Sequence, residues 1–145
     1  MKIALVASVG GHLTELLAVR EAVEGHELVW IINDVSPVLP VGARGYRVVH
    51  AERDLHVLTN LVEFAAIFAR EAPDVMLSTG AGPAVPAAVV ARLLGIPVVY
   101  IESVASVARL SLTGRLMRFL ASEFLVQWPH LAAVAPWARY EGAVL

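Results

Sequence analysis

Short, unbroken aliphatic runs recur along the chain with helix-spaced stretches between them, and this alternation narrows the fold more than any other feature. Ile3–Ala7, Leu28–Ile32, Val75–Leu77 and Pro97–Ile101 contain no polar residue, as expected of strands buried on both faces. Tyr46–Val49 and Phe124–Gln127 read as two more. Between them, apolar residues return at helical spacing over His12–Glu24, Leu58–Ala69, Pro83–Gly95 and Ser111–Ala121. Gly25, Pro73 and Gly95 supply the stops. The pattern predicts one Rossmann-like α/β domain over residues 1–145, three αβα layers deep, with a mostly parallel sheet of six or seven strands. Tyr140–Leu145 is either the start of a seventh strand or a partner contact. Asn33–Gly45, with two prolines and two glycines, reads as a long irregular loop, a kind that is usually functional or mobile.

Composition removes several function classes. With 58% hydrophobic and 17% charged residues, the chain has ample material for a core and none of the polarity of a disordered segment. No cysteine is present, which excludes disulfides, thiolate catalysis and cysteine-ligated metals. His26, His50, His56 and His130 show no metal-ligand spacing, so neither a metal nor a cofactor is expected. A net charge of −2 exerts no global pull on nucleic acid. The most apolar stretch, Gly80–Ile101, is interrupted by Arg92, three prolines and Gly95, and so reads as a buried helix and strand rather than a membrane span. A cytoplasmic protein with an apolar exterior patch is the expectation.

Ligands of open parallel sheets bind just beyond the carboxyl ends of the strands, and three such places stand out. After the first strand, Gly10 and Gly11 let backbone amides approach an anion at a helix start, and His12 is placed as a general base, a phosphate contact or a helix cap. The spacing is not GxGxxG and no acid ends the second strand, although Asp34 is near, so a dinucleotide site is poorly supported. After the fourth strand, Ser78 to Pro83 form a second glycine-rich turn without the lysine of a Walker loop. It holds a sugar or diphosphate, or is simply a tight turn. After the fifth strand, Glu102 and Ser103 meet a ligand hydroxyl or a nearby arginine. Between Glu102 and Glu123 the only charges are Arg109, Arg115 and Arg118, a basic stretch suited to solvent, an anionic membrane surface or a diphosphate.

Ser8 to Glu15, Ser78 to Pro83, Glu102-Ser103, Leu110 to Leu116 and Val126 to Pro129, in this order, resemble the Alg14 family of oligosaccharide biosynthesis proteins and its bacterial PssD, EpsE and Cps-type relatives. They also resemble the N-terminal half of MurG-type GT-B glycosyltransferases. The resemblance implies half of a GT-B fold, the acceptor-side subunit of a split hexosyltransferase, non-catalytic alone. A separate chain would bind the nucleotide sugar, and the acceptor would be a polyprenyl-diphosphate-linked saccharide at the inner face of the cell membrane, reached by peripheral attachment. His12 would be catalytic; Gly10, Gly11, Thr14, Thr79, Gly80, Gly82, Glu102 and Ser103 would bind acceptor. Arg109, Arg115 and Arg118 would touch membrane or diphosphate, and Gln127, Trp128 and Pro129 the partner. The chain departs from the family where Ala105-Ser106-Val107 stand in place of a segment that usually carries arginine, in Ala7-Ser8-Val9 before the glycines, and in lacking the N-terminal membrane helix of eukaryotic members. The competing readings are a self-contained nucleotide-sugar or NAD enzyme and a pure scaffold for a partner transferase.

Overall fold

The computed structural model describes residues 1–33, 39–40, 42–51 and 54–145; Asp34 lies outside them. Among the described residues seven strands, all parallel, form one sheet: β1 (Lys2–Ala7), β2 (Glu27–Asn33), β3 (Arg44–Val48), β4 (Val75–Gly80), β5 (Val98–Ile101), β6 (Glu123–Val126) and β7 (Arg139–Tyr140). Their spatial order is β3-β2-β1-β4-β5-β6-β7. The connection direction reverses between β1 and β4, and right-handed crossovers therefore send the helices before and after that point to opposite faces. Helix α1 (Gly11–Val19) covers one face with Leu13 and Leu16 against Leu5, Trp30 and Ile32. Helices α2 (His56–Glu71), α3 (Ala84–Leu93), α4 (Leu112–Met117) and α5 (Pro129–Val134) lie on the other, where Phe64, Phe68, Ala87, Met117 and Leu131 share a core with Val6, Ile31, Met76 and Val98. The Rossmann-like expectation is met, with a sheet wholly rather than mostly parallel.

Several boundaries move for local reasons. The first helix gives way after Val19 to a short 3-10 turn, Arg20–Val23. Strand β4 runs on to Gly80, so Ser78 and Thr79 are strand residues, not turn residues. Helix α4 is only six residues long, and α5 is an element the periodicity did not predict. At the end of α2, Ala72 takes a left-handed φ of 47° before Pro73, which closes the helix where expected. Beyond β7 the chain turns back, and the Val144 N–H donates to Gln127 Oε1 at 2.8 Å. Among the described residues no helix is long and apolar enough to cross a membrane.

At the amino ends of the strands sits a buried carboxylate, Glu71. It accepts from the Tyr46 hydroxyl and meets the Arg44 guanidinium at 2.9 Å and Lys2 Nζ at 3.4 Å. The tyrosine hydrogen bond, followed by the neighbouring charges, holds its carboxyl below the usual glutamate range.

Candidate functional site

The carboxyl ends of β1, β3 and β4 and the first turns of α2, α3 and α4 enclose a cleft of about 1030 Å³. Its lining is mixed: Ser8, His12, His50, Asp54 and Thr113 are polar, and Val57, Val85, Pro86, Leu112 and Leu116 are apolar.

His12 enters from the N-terminus of α1, which Gly10 opens with a φ of 94° that only glycine adopts without strain. Its backbone and side chain are clamped by one residue: Thr79 Oγ1 donates to the His12 carbonyl at 2.6 Å, and His12 Nδ1 lies 2.8 Å from the Thr79 carbonyl. A carbonyl can only accept, so Nδ1 carries the proton and the neutral ring keeps its lone pair on Nε2. Gly80 leaves room for this ring, since a Cβ there would stand 3.4 Å from His12 Cε1 and Nδ1 and 3.2 Å from the Tyr100 hydroxyl. A Cβ at Gly82 would lie 2.5 Å from the Ala51 carbonyl. The residues after β3 therefore pack directly on the second glycine turn.

Thr79, Glu102 and Ser103 are the residues for which strand-end position misjudges the direction of the side chain. Thr79 is fully buried as the clamp on His12. Glu102 is 1% exposed and accepts from Ser111 Oγ, the backbone N–H groups of Ser103 and Ser111, Ser106 Oγ and the Tyr100 hydroxyl, at 2.8–3.3 Å. Burial, with the Glu102 charge second, pushes the Tyr100 hydroxyl far up. Gly114 follows from this bracket: a Cβ there would be 1.8 Å from Glu102 Oε2. Ser103 Oγ donates to Glu15 Oε1 at 2.8 Å, joined by the Val104 N–H. Glu15, 2% exposed, thus ties the helix that bears His12 to the loop between β5 and α4. Neutral donors, rather than an arginine, offset the desolvation of these two carboxylates.

The other candidates are divided between surface and interior. Thr14 is exposed, and its hydroxyl returns to the Gly10 carbonyl. Gln127 is not at the surface: 3% exposed, it donates to Glu15 Oε2 and the Glu102 carbonyl. Trp128 Nε1 donates to the Val104 carbonyl at 2.7 Å, while Pro129 is exposed at the start of α5. Helix α4 runs antiparallel to the strands, from the Glu102 bracket down to Ser122, whose N–H donates to the Val98 carbonyl. The three arginines are therefore spread along the domain. Arg109 is exposed in the loop at the cleft end and Arg115 is exposed on α4. Arg118 stacks on Phe119 and Trp137, 4.6 and 4.1 Å from their ring centres, at the end of the sheet away from the cleft.

Sequence reasoning passed over His50, Asp54 and the apolar part of the lining. The strand-end rule applied to the third strand finds His50, two residues past Val48. Asp54 is bound by His56 at 2.8 Å, a hydrogen bond that holds its carboxyl below the usual range.

Residues 48–144 match the family model described as "Oligosaccharide biosynthesis protein Alg14 like". The mouse protein named UDP-N-acetylglucosamine transferase subunit ALG14 is 42% identical over 79 residues, an alignment that takes in 50% of this chain and 36% of that one. Its human counterpart is 29% identical over 181 aligned residues, 100% of this chain and 83% of that one. The match thus spans about a third of the mouse relative's length. Among solved structures, MurG of Acinetobacter baumannii superposes with a TM-score of 0.73 at 19% identity, over 90% of this chain and 42% of that one. UDP-N-acetylglucosamine 2-epimerase of Rickettsia bellii gives 0.76 at 13% identity, over 99% and 45%. At such identities these two likenesses concern the fold alone.

Proposed function

The chain belongs to the Alg14-like family of oligosaccharide biosynthesis proteins, and from that premise we propose that it is the acceptor-binding, membrane-recruiting subunit of a two-component glycosyltransferase. A separate chain supplies the nucleotide-sugar site, and the acceptor is a saccharide on a polyprenyl diphosphate at the inner face of the cell membrane. The observation that carries this reading is the mixed lining of one cleft: His12, with a lone pair on Nε2, shares it with Val57, Val85, Pro86, Leu112 and Leu116. A base for a hydroxyl and apolar surface for a lipid-linked sugar are what an acceptor site requires.

In the proposed reaction the acceptor hydroxyl attacks the anomeric carbon of the donor while His12 Nε2 takes its proton, and the nucleotide diphosphate leaves on the partner's side. Gly10 and Gly11, at the exposed N-terminus of α1, offer backbone amides to an anionic oxygen. Arg109 and Arg115 are the cations proposed to meet diphosphate or headgroups; Arg118, stacked on two aromatic rings at the far end of the sheet, is withdrawn from both roles. Membrane attachment joins these charges to exposed Leu55, Leu58 and Leu112.

Calorimetry with UDP-N-acetylglucosamine tests the division of labour. The isolated chain is expected to bind it weakly or not at all and to transfer no sugar, with transfer appearing once a donor-binding chain is added. Tight binding by the isolated chain would favour the self-contained enzyme instead.

A further inference from the structure

We infer that Glu15 is a positioning residue of the proposed transfer: its buried carboxylate fixes helix α1, and with it His12, against the loop between β5 and α4.

Glu15 stands three residues after His12 on α1, and its side chain is buried. A carboxylate gives up its hydration there, where an apolar side chain of similar size would pack at lower cost. What the carboxylate adds is direction. The Val104 backbone N–H meets Oε1 at 3.1 Å and can only donate. Ser103 Oγ accepts from the Ala105 N–H at 3.2 Å, so its own hydrogen is directed at Glu15 Oε1, 2.8 Å away. Gln127 is equally constrained. The Val144 N–H faces one arm of its amide at 2.8 Å, which makes that arm the oxygen. Nε2 is therefore turned to Glu15 Oε2 at 3.3 Å and to the Glu102 carbonyl at 3.1 Å. Three donors converge, and only a group that accepts on both oxygens satisfies them.

These contacts act on two elements of the cleft. Helix α1 is attached to β4 at His12, through the Thr79 hydroxyl and carbonyl. Glu15 supplies a second attachment almost a full turn further along, and two fixed points on one short helix set its rotation as well as its position. Val104 is held at both backbone groups, the N–H by Glu15 and the carbonyl by Trp128 Nε1 at 2.7 Å. The loop that passes through it leads to Ser111, the N-cap of α4, and so to Leu112, Thr113 and Leu116 in the cleft lining. Glu15 thus sets His12 in register with the α4 part of the same cleft. A displacement of about 1 Å at a reacting group is worth about 10²-fold in rate. The register of α1 stands on the geometry; its importance for transfer rests on the acceptor-site reading.

Glu15→Gln keeps the shape but turns an amide NH2 toward one of the three donors. In the reconstituted transferase, assayed well below the melting temperature of the variant, it should lower kcat about tenfold or more. The KM for the nucleotide sugar, which the other chain binds, should stay the same. Ser103→Ala removes one donor and should lose less. A folded Glu15→Gln protein with the wild-type kcat would overturn the role, as would a raised nucleotide-sugar KM at unchanged kcat. If Glu15→Gln does not fold, Ser103→Ala decides, and a wild-type kcat there overturns the role.

Two-bond ¹H–¹⁵N correlation spectra of the isolated chain, above the imidazole titration range, give a readout without transfer. The wild-type His12 ring should be protonated on Nδ1. In Glu15→Gln, or in Ser103→Ala where only that variant folds, a loosened contact with the Thr79 carbonyl should give a mixture of both tautomers. An unchanged His12 ring in the folded variant would overturn the positioning. A wild-type pair that transfers nothing would break the acceptor reading, and the spectrum would then decide whether Glu15 holds His12.

Discussion

Two strand-end turns of this sheet carry polar residues in similar sequence settings, yet one opens to the cleft and the other closes on itself. After β1, His12 lines the cleft and its ring meets the Thr79 carbonyl through Nδ1. After β5, Glu102 is surrounded by its own loop: Ser103, Ser106 and Ser111 supply hydroxyls and backbone N–H groups until the carboxylate is enclosed. What decides between an open and a closed turn is the supply of local donors, not the position at the strand end.

The comparison is broken or sharpened first at the closed turn. Glu102→Ala strands several buried donors at once, each worth about 1–3 kcal/mol, and should cost about 4 kcal/mol, or roughly 10 °C or more in Tm. Gly114→Ala should also destabilise, by about 3 kcal/mol from overpacking, although alanine is ordinarily the better helix former. A thermal melt of either variant that matches the wild type would mean that the bracket carries no weight.

At the open turn the effect should move from stability to rate. His12→Ala is expected to lower transfer by the reconstituted pair about 10²-fold, the value of a general base, while costing less than about 1 kcal/mol of stability. Thermal melts beside initial rates separate the two; a variant that melts like Glu102→Ala would erase the distinction between the turns.

The smallest effect is a contrast between buried carboxylates. Glu71 is held by Tyr46 and by the charges of Arg44 and Lys2, which depress its pKa on folding. Its contribution is therefore present above the unfolded glutamate value of about 4.3 and is lost as pH falls through the lower folded value. Glu71→Gln should be less stable than the wild type at neutral pH and converge on it in acid. Denaturant midpoints from pH 7 to pH 3 give the answer, and a constant gap would show that the ion pairs are irrelevant.

Much of the fold was legible because its signals are local. The aliphatic runs of β1, β2, β4 and β5 and the stops at Pro73 and Gly95 are each contained within a few residues. Helix α5 and the two-residue β7 are too short to display a period. At the site, His12 was legible from the glycines before it, whereas the fate of Glu102 was not. The loop that encloses it is fastened through Ser103 to Glu15, 88 residues earlier, and such a partner has no trace in local pattern. His50 left no local trace, because its contact with Asn33 joins two strand ends 17 residues apart.

The sheet order has a consequence for how the chain can be made. β1 is interior, hydrogen-bonded to β2 on one side and to β4 on the other, yet β4 arrives only at residues 75–80. During synthesis the first strand must wait with one edge open while β2, β3 and α2 emerge, and every ladder in the sheet is a non-local parallel one. Such topologies fold slowly and expose apolar edges meanwhile. Slow refolding and a need for chaperones or low temperature during expression are the expected price of placing this strand at the centre.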